Sequence, residues 1–192
     1  PRELSGIDYS IDYRLETDIG KFSINLNAAN LKKFDLGSDS VTDIVVAAQN
    51  EGNEALLYEG ELVSIFGSDG SLIRQNERPK WRANLALTYS LGAVRAGLKY
   101  RFVSDVEDTS LNYTNGEGEL VTYVLDDWST IDAFLSFTLS EDSLLSGTTK
   151  ITLGMRNLTN EEPPFSDETF GFNSALHSSM GRYTYVTLNH KF

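Results

Sequence analysis

The stretch that decides the fold is Gly181-Arg182-Tyr183-Thr184-Tyr185-Val186-Thr187-Leu188-Asn189-His190-Lys191-Phe192. Successive side chains of an extended strand point to opposite faces. One face of this segment therefore carries Phe192, His190, Leu188, Val186 and Thr184, and the other carries Lys191, Asn189, Thr187, Tyr185 and Tyr183. The first face suits lipid and the second suits water, so the segment predicts an amphipathic strand.

Six earlier segments repeat this alternation of apolar and polar residues, which predicts six further strands. They are residues 7–15, 22–34, 81–91, 94–102, 131–139 and 151–155. The connections alternate between short turns and long loops, and the long loops are residues 35–78, 104–127 and 158–180. In an up-and-down antiparallel sheet every second connection lies at the same end. All long loops then share one end, which is typical of outer-membrane barrels.

Strand length and aromatic placement favour the same interpretation. Strands of about 10 residues cross a bilayer when tilted, whereas strands of soluble proteins average about 5 to 6 residues. Tryptophan and tyrosine concentrate where lipid meets water. An aromatic girdle is therefore predicted at the long-loop end, formed by Trp81, Tyr100, Phe102 and Trp128.

A soluble β-sandwich also alternates apolar and polar residues, but it gives no reason for every long loop to lie at one end. The predicted fold is therefore all-β, an antiparallel up-and-down transmembrane β-barrel. About seven strands form a curved partial barrel with long extracellular loops and short periplasmic turns. Bacterial single-chain barrels have an even number of strands and both chain ends in the periplasm. We therefore expect residues 1–192 to be the carboxy-terminal part of a larger barrel whose first strands lie upstream.

Composition excludes several kinds of partner. Acidic residues outnumber basic ones 28 to 16, for a net charge of −12, whereas nucleic-acid binding requires clustered lysine and arginine. There is no cysteine, which excludes disulfides, iron–sulfur clusters and thiolate zinc sites. With only two histidines, no metal site and no cofactor are predicted.

The end of the chain resembles that of a TonB-dependent outer-membrane receptor. Such receptors commonly finish with an Asn-Leu-Phe-Asp-Lys-x-Pro-Pro-like segment and then a Gly-Arg-aromatic strand. Here Asn157-Leu158-Thr159-Asn160-Glu161-Glu162-Pro163-Pro164 precedes Gly181-Arg182-Tyr183 and the strand that ends at Phe192. Two departures are Thr159, where phenylalanine is usual, and His190, where another aromatic residue is usual.

The resemblance implies a barrel of about 22 strands closed by an amino-terminal plug, in the outer membrane of a Gram-negative bacterium. Such a protein is a transporter and not an enzyme. It imports a scarce nutrient, such as a siderophore-bound iron, haem, cobalamin or a glycan, with energy supplied by TonB. The implied partners are outer-membrane lipid and lipopolysaccharide, the TonB complex through the plug, a small-molecule substrate, and the barrel-assembly machinery. That machinery would recognise the terminal strand through Val186, Leu188, His190 and Phe192.

Basic side chains are predicted on the inward face of the strands. Charged lumen residues tune selectivity, so these residues either line a path for anions or pair with the plug or with inward acids such as Asp8, Asp12 and Asp132. The acidic loop 105–127 either collects cations, bridges to lipopolysaccharide or forms a solvated surface. The possible lumen-lining residues are Arg95, Lys99, Arg101 and Arg156.

Two other functions are compatible with parts of the sequence. A small structural or adhesive outer-membrane barrel would use the same strands. The sequence His177-Ser178-Ser179 raises an outer-membrane hydrolase, but a catalytic triad needs a positioned nucleophile, base and orienting acid, and one histidine beside serines is a weak indication. Import is the leading hypothesis.

Overall fold

A computed structural model describes residues 2–37, 43–45, 47–48, 51–52, 70–139 and 147–192. Residues 43–45 and 47–48 are helical, and no described helix has the length and apolar character needed to span a membrane. The described part of the chain forms ten strands. They are β1 (Arg2–Thr17), β2 (Gly20–Leu36), β3 (Gly70–Ser71), β4 (Trp81–Leu91), β5 (Val94–Val103), β6 (Val106–Thr114), β7 (Leu120–Leu125), β8 (Trp128–Leu139), β9 (Thr148–Arg156) and β10 (Tyr183–Lys191).

Seven strands follow one another across the main sheet in the order β1-β2-β4-β5-β8-β9-β10, and β3 pairs with β2. Every pair with a described register is antiparallel. These are the seven predicted strands, in sequence order, so the up-and-down all-β fold is confirmed. The sheet is open, because β1 and β10 stand at its two ends. The connections β2–β4, β5–β8 and β9–β10 all lie at the same end of the sheet, because they are every second connection between neighbouring antiparallel strands.

The first two strands are longer than the apolar pattern predicts. β1 has 16 residues and β2 has 17, because backbone pairing continues through polar side chains that do not alternate. The chain between β2 and β3 and the turn between β8 and β9 lie largely outside the described residues, so the predicted short turn after residue 139 and most of the first long loop are not covered.

The prediction that residues 104–127 form a loop is wrong, because β6 and β7 pair there in a second, two-stranded sheet. A shift of register between Asp108 and Asn112 interrupts the pairing. Such a bulge breaks the period of two on which strand prediction depends. The turn between the strands is closed by Asn115, whose backbone N–H donates to the Glu119 carbonyl at 2.9 Å.

The register of the main sheet places apolar side chains on one face, here called the apolar face. Residues paired across an antiparallel sheet point to the same side. Val186 and Leu188 are each 67% exposed on this face, and the buried apolar cluster of the described residues is small. The burial is thus the reverse of a soluble core. Two paired rows of this face are Phe22, Tyr89, Ala96, Leu135, Leu153 and Val186, and Leu91, Val94, Phe137, Ile151 and Leu188.

The opposite side, here called the polar face, carries charged, hydroxyl and amide side chains. It also holds two close aromatic–glycine contacts. A Cβ atom at Gly97 would lie 2.4 Å from the Phe134 ring, and one at Gly154 would lie 2.2 Å from the Tyr185 ring. Glycine therefore makes room for both rings. Two paired rows of the polar face are Lys21, Ser90, Arg95, Ser136, Thr152 and Thr187, and Asn27, Asn84, Arg101 and Thr130.

The chain divides into two compact units, Pro1–Ile7 with Leu31–Ile73, and Asp8–Asn30 with Arg74–Phe192. In the first unit β3 pairs with the end of β2, and the buried Leu72 donates its backbone N–H to the Phe34 carbonyl at 2.8 Å. The second unit contains the whole of the candidate site.

Candidate functional site

The candidate site is a cavity of about 380 Å³ on the polar face, at the end of the sheet where the long connections leave. Its floor is formed by side chains of β5, β8 and β9, among them Arg101, Thr130 and Arg156. Its roof comes from the connection between β9 and β10, which contributes Ala175, His177 and Ser178. The roof is irregular backbone, so side-chain hydrogen bonds must hold it.

Two asparagines anchor the start of this connection. Asn157 and Asn160 have φ angles of 50° and 58°, a left-handed conformation that asparagine tolerates better than most residues. The buried Asn157 side chain accepts a hydrogen bond from the Glu161 N–H and donates to the Glu161 carbonyl, both at 2.8 Å. It also donates to the Met180 carbonyl at 3.4 Å. The two ends of the connection are thereby held close together.

The middle of the connection is fixed by Asn173 and Leu176. The Asn173 side chain accepts hydrogen bonds from the backbone N–H groups of Ala175 and Leu176, at 3.1 and 3.2 Å. Leu176 is buried in a cluster with Val106 of β6 and Leu125 of β7. The hairpin that the sequence did not predict therefore supports the roof. This anchoring sets the position of His177, the next residue.

His177 and Trp128 lie against each other in the wall of the cavity. Their ring centroids are 5.6 Å apart with an interplanar angle of 69°, and each residue is 7% exposed. Neither Trp128 Nε1 nor His177 Nδ1 has a hydrogen-bond partner, and both atoms are buried. Burial, and secondarily the charge of Arg82, lower the pKa of His177 below its usual value. The imidazole is therefore neutral at pH 7.

Two guanidinium groups give the cavity its charge. Arg101 forms an ion pair with Asp132 at 2.9 Å and donates to Thr130 Oγ1 at 3.2 Å. Asp132 also accepts the backbone N–H of Asn157 at 3.1 Å. Arg156 has no ion pair among the described residues, and its guanidinium lies over the Tyr183 ring at 5.8 Å. Arg101 thus has a counter-charge, whereas Arg156 has none in the part of the chain that the structure describes.

All four predicted lumen-lining residues lie on the polar face. Arg101 and Arg156 come together at this cavity. Arg95 lines a second cavity of about 320 Å³ that also contains Lys21 and Ser90. Lys99 pairs in register with Asp132. The sequence left open that the basic residues pair with inward acids, and Arg101 does so with Asp132. That the four residues line a lumen stays a prediction.

The aromatic girdle divides between the two faces. Trp81, Tyr100 and Phe102 belong by register to the apolar face, where Trp81 stacks on Tyr9 with centroids 5.9 Å apart. Trp128 belongs instead to the polar face, where it pairs with Val103 and packs on His177. A girdle stays a prediction for the first three residues. For Trp128 the burial favours a role in the cavity.

The terminal strand exposes the predicted assembly residues. Val186 and Leu188 are each 67% exposed and Phe192 is fully exposed. His190 differs, because its Nδ1 is hydrogen-bonded to Thr149 Oγ1 at 2.9 Å and its ring meets the Phe192 ring edge-on at 4.4 Å. Recognition of these residues by assembly machinery stays a prediction.

Some of the acidic side chains of residues 105–127 have ion-pair or hydrogen-bond partners within the protein. Arg74 forms ion pairs with Asp105 and Glu107, and the buried Asp108 accepts a hydrogen bond from the Ser110 N–H at 3.1 Å. Among the described residues no group of three or more acidic or histidine side chains could hold a metal ion.

Sequence reasoning identifies His177 and Trp128, but for other roles. The sequence suggests His177 as a hydrolase base, yet Ser178 Oγ accepts the backbone N–H of Met180 at 3.2 Å, and His177 Nδ1 has no hydrogen-bond partner among the described residues. The contact between the two rings joins residues 49 positions apart (177 minus 128), and no local pattern predicts it. The sequence offers one indication of a role in the cavity. With β5 and β8 paired, the alternation of side chains places Trp128 on the same face as Arg101.

The comparisons agree with the geometry of the sheet. The model of the family described as "TonB dependent receptor-like, beta-barrel" matches residues 2–158, which run from β1 to the first residues after β9. Neither the curated proteins nor the solved structures gave a match. The family match covers most of the chain, and the two-faced antiparallel sheet is what such a barrel wall requires. The chain therefore belongs to the family of TonB-dependent receptor-like β-barrels.

Proposed function

We propose that residues 1–192 form the carboxy-terminal part of the barrel wall of an outer-membrane transporter that imports a scarce nutrient with energy supplied by TonB. The substrate is a siderophore-bound iron, haem, cobalamin or a glycan. The observation that carries the proposal is the division of one antiparallel sheet into an exposed apolar face and a polar face.

The apolar face supports a position in lipid. Side chains such as Ile11, Val186 and Leu188 are 53% to 67% exposed. Monomeric soluble proteins rarely expose a continuous apolar patch larger than a few hundred Å², whereas a barrel wall faces hydrocarbon across a band about 25 Å tall. In the outer membrane of a Gram-negative bacterium this face contacts lipid and lipopolysaccharide.

The open edges support a larger barrel. β1 and β10 end the strand order, and unpaired edges promote association with other strands. In the complete receptor, upstream strands pair with β1, and the first strand of the barrel pairs with β10. The barrel-assembly machinery recognises β10, and a plug domain inside the barrel contacts TonB.

The polar face supports passage of a solute. It presents neutral polar groups, ion pairs and a cavity at the end where the long connections leave. Ser178 Oγ accepts the backbone N–H of Met180 and His177 Nδ1 has no hydrogen-bond partner, so the described residues show no bond between this serine and this histidine, which a catalytic triad requires.

The test is a deletion of the receptor gene, followed by growth on single sources of iron, cobalamin or glycan. We expect a growth defect on one source and the same defect in a strain that lacks TonB. Restoration by the wild-type gene, and recovery of the protein in the outer-membrane fraction, complete the test. A strain that grows normally on every source, or a defect that does not depend on TonB, contradicts the proposal.

A further inference from the structure

We propose that the cavity beneath residues 173–180 binds the carboxylate of a small-molecule ligand, through hydrogen bonds from Trp128 and His177 and the charge of Arg156. The inference deepens the proposed function, because it takes the polar face as the side reached by solutes. It is carried by two buried polar atoms without partners, on two residues that line the same cavity.

The Trp128 indole defines the chemistry of the missing partner. Its Nε1–H can only donate a hydrogen bond. A buried donor without an acceptor costs free energy, and nearly all buried polar groups in proteins are paired. Trp128 is 7% exposed and lacks an acceptor. The group that completes this wall is therefore a hydrogen-bond acceptor.

His177 adds a second position for the same acceptor group. It contacts Trp128 edge-on and its Nδ1 is also buried without a partner. A neutral imidazole carries one N–H, and the tautomer protonated at Nδ1 donates. Donors on two rings that are in contact match the two oxygens of a carboxylate better than a single carbonyl.

The charge of the cavity favours an anion over a neutral acceptor. The charge of Arg101 is balanced by Asp132. Arg156 is held over Tyr183 and Tyr185, at 5.8 and 5.9 Å, and it has no ion pair among the described residues. A guanidinium held by stacking keeps its fork of donors oriented, and hydrogen bonds between ionised groups are about twice as strong as neutral ones.

The size and the rest of the lining limit the ligand to a small molecule. The cavity has about 380 Å³, near the lower end of the range of about 300 to 1,000 Å³ for ligand pockets. Ala175, Leu176 and Met180 supply apolar surface, which suits a short carbon skeleton. The roof is held by Asn157 and Asn173, so the cavity exists before a ligand enters.

Binding to the intact receptor in detergent at pH 7 tests the inference by calorimetry. The probes are acetate, succinate and citrate, with neutral succinamide as the uncharged match of succinate. We expect at least one acid to bind and succinamide not to bind. Arg156→Gln weakens acid binding about tenfold or more, because it removes a charge-assisted contact. Lys21→Gln, on the same face but in the other cavity, leaves the affinity unchanged.

Trp128→Phe keeps an aromatic ring and removes the donor, so it also weakens acid binding. The melting temperature of each variant reports folding. If Trp128→Phe does not fold, the binding result for Arg156→Gln decides the test. The inference is overturned if no acid binds, if succinamide binds as tightly, or if Lys21→Gln weakens binding as much as Arg156→Gln. If the acids bind only after the plug is deleted, a carboxylate of the plug occupies the cavity in the intact receptor. That outcome also overturns the inference. The growth test is independent of each result, so failure of import is distinguishable from failure of this site.

Discussion

The Asn160 side chain accepts a hydrogen bond at Oδ1 from the backbone N–H of Arg182, 22 residues further along the chain, at 2.9 Å. This bond joins the segment after β9 to the residue before β10. A Cβ atom at Gly181 would lie 3.0 Å from the same oxygen, so the glycine allows the close approach. The two parts of the terminal sequence that resemble TonB-dependent receptors are therefore in direct contact.

Asn160→Ala is expected to lower the free energy of unfolding by about 2 kcal/mol. The substitution removes a hydrogen bond worth about 0.5 to 1.5 kcal/mol and places alanine at a φ of 58°, which costs about 1 to 2 kcal/mol. Urea unfolding of the receptor in detergent measures the change. Asn160→Asp keeps the acceptor and should change stability little, and Asn160→Gly should lose only the hydrogen-bond part. Equal losses for the alanine and glycine variants would show that the left-handed backbone contributes nothing.

Gly154→Ala is expected to destabilise the sheet by about 1 to 3 kcal/mol, as overpacking does in other proteins. The added Cβ would lie 2.2 Å from the Tyr185 ring, which must then leave the surface of β9. Thermal unfolding measures the loss.

Gly116→Ala is the matched control, since no atom beyond its chain neighbours lies within 4 Å of the position that the alanine Cβ would take. The double variant Gly154→Ala with Tyr185→Ser should recover part of the lost stability, because the ring is gone. If the single and double variants unfold at the same temperature, the contact between glycine and ring has no energetic role.

Asp132→Asn is expected to lower the free energy of unfolding by about 1 to 3 kcal/mol, because it leaves Arg101 without a counter-charge in a partly buried position. Asp132 is 16% exposed at its side chain and also receives the Asn157 N–H, so the loss extends to the start of the roof. Glu16→Gln is the control, since the Glu16–Lys21 pair is 72% and 65% exposed and such pairs contribute little. A loss of the same size for both variants would refute the argument from burial.

The fold was predictable where a repeated physical constraint acts on many residues. Seven strands alternate because each has one lipid-suited and one water-suited face, and no single residue such as Leu188 or Tyr89 decides the pattern. The β6–β7 hairpin was missed, because its acidic side chains and the shift between Asp108 and Asn112 break that alternation.

The candidate site was predictable only in part for a related reason. Parity placed Arg101 and Arg156 on one face, and the register brings them to one cavity. The contact of Trp128 with His177 depends on the fold of the connection after β9, which Asn157, Asn173 and Leu176 fix through contacts distant in sequence. Contacts between residues that are distant in sequence produce no periodic pattern from which they could be predicted.

Acidification is expected to destabilise the roof of the cavity through His177. Burial lowers the pKa of His177 in the folded protein below its usual value of 6.5, so protonation favours the unfolded state. The stability that neutral His177 contributes is fully present above about pH 6.5 and is lost as the pH falls toward the folded-state pKa. Urea unfolding at pH 7.5, 6.5 and 5.5 measures the loss.

The control for this pH dependence is His177→Phe, which keeps an aromatic ring against Trp128 and removes the titrating group. Its stability should fall less between pH 7.5 and 5.5 than that of the wild type, so that the difference between the two proteins depends on pH. If the two profiles run parallel, His177 does not couple protonation to the fold of the connection, and the acid sensitivity belongs to other groups.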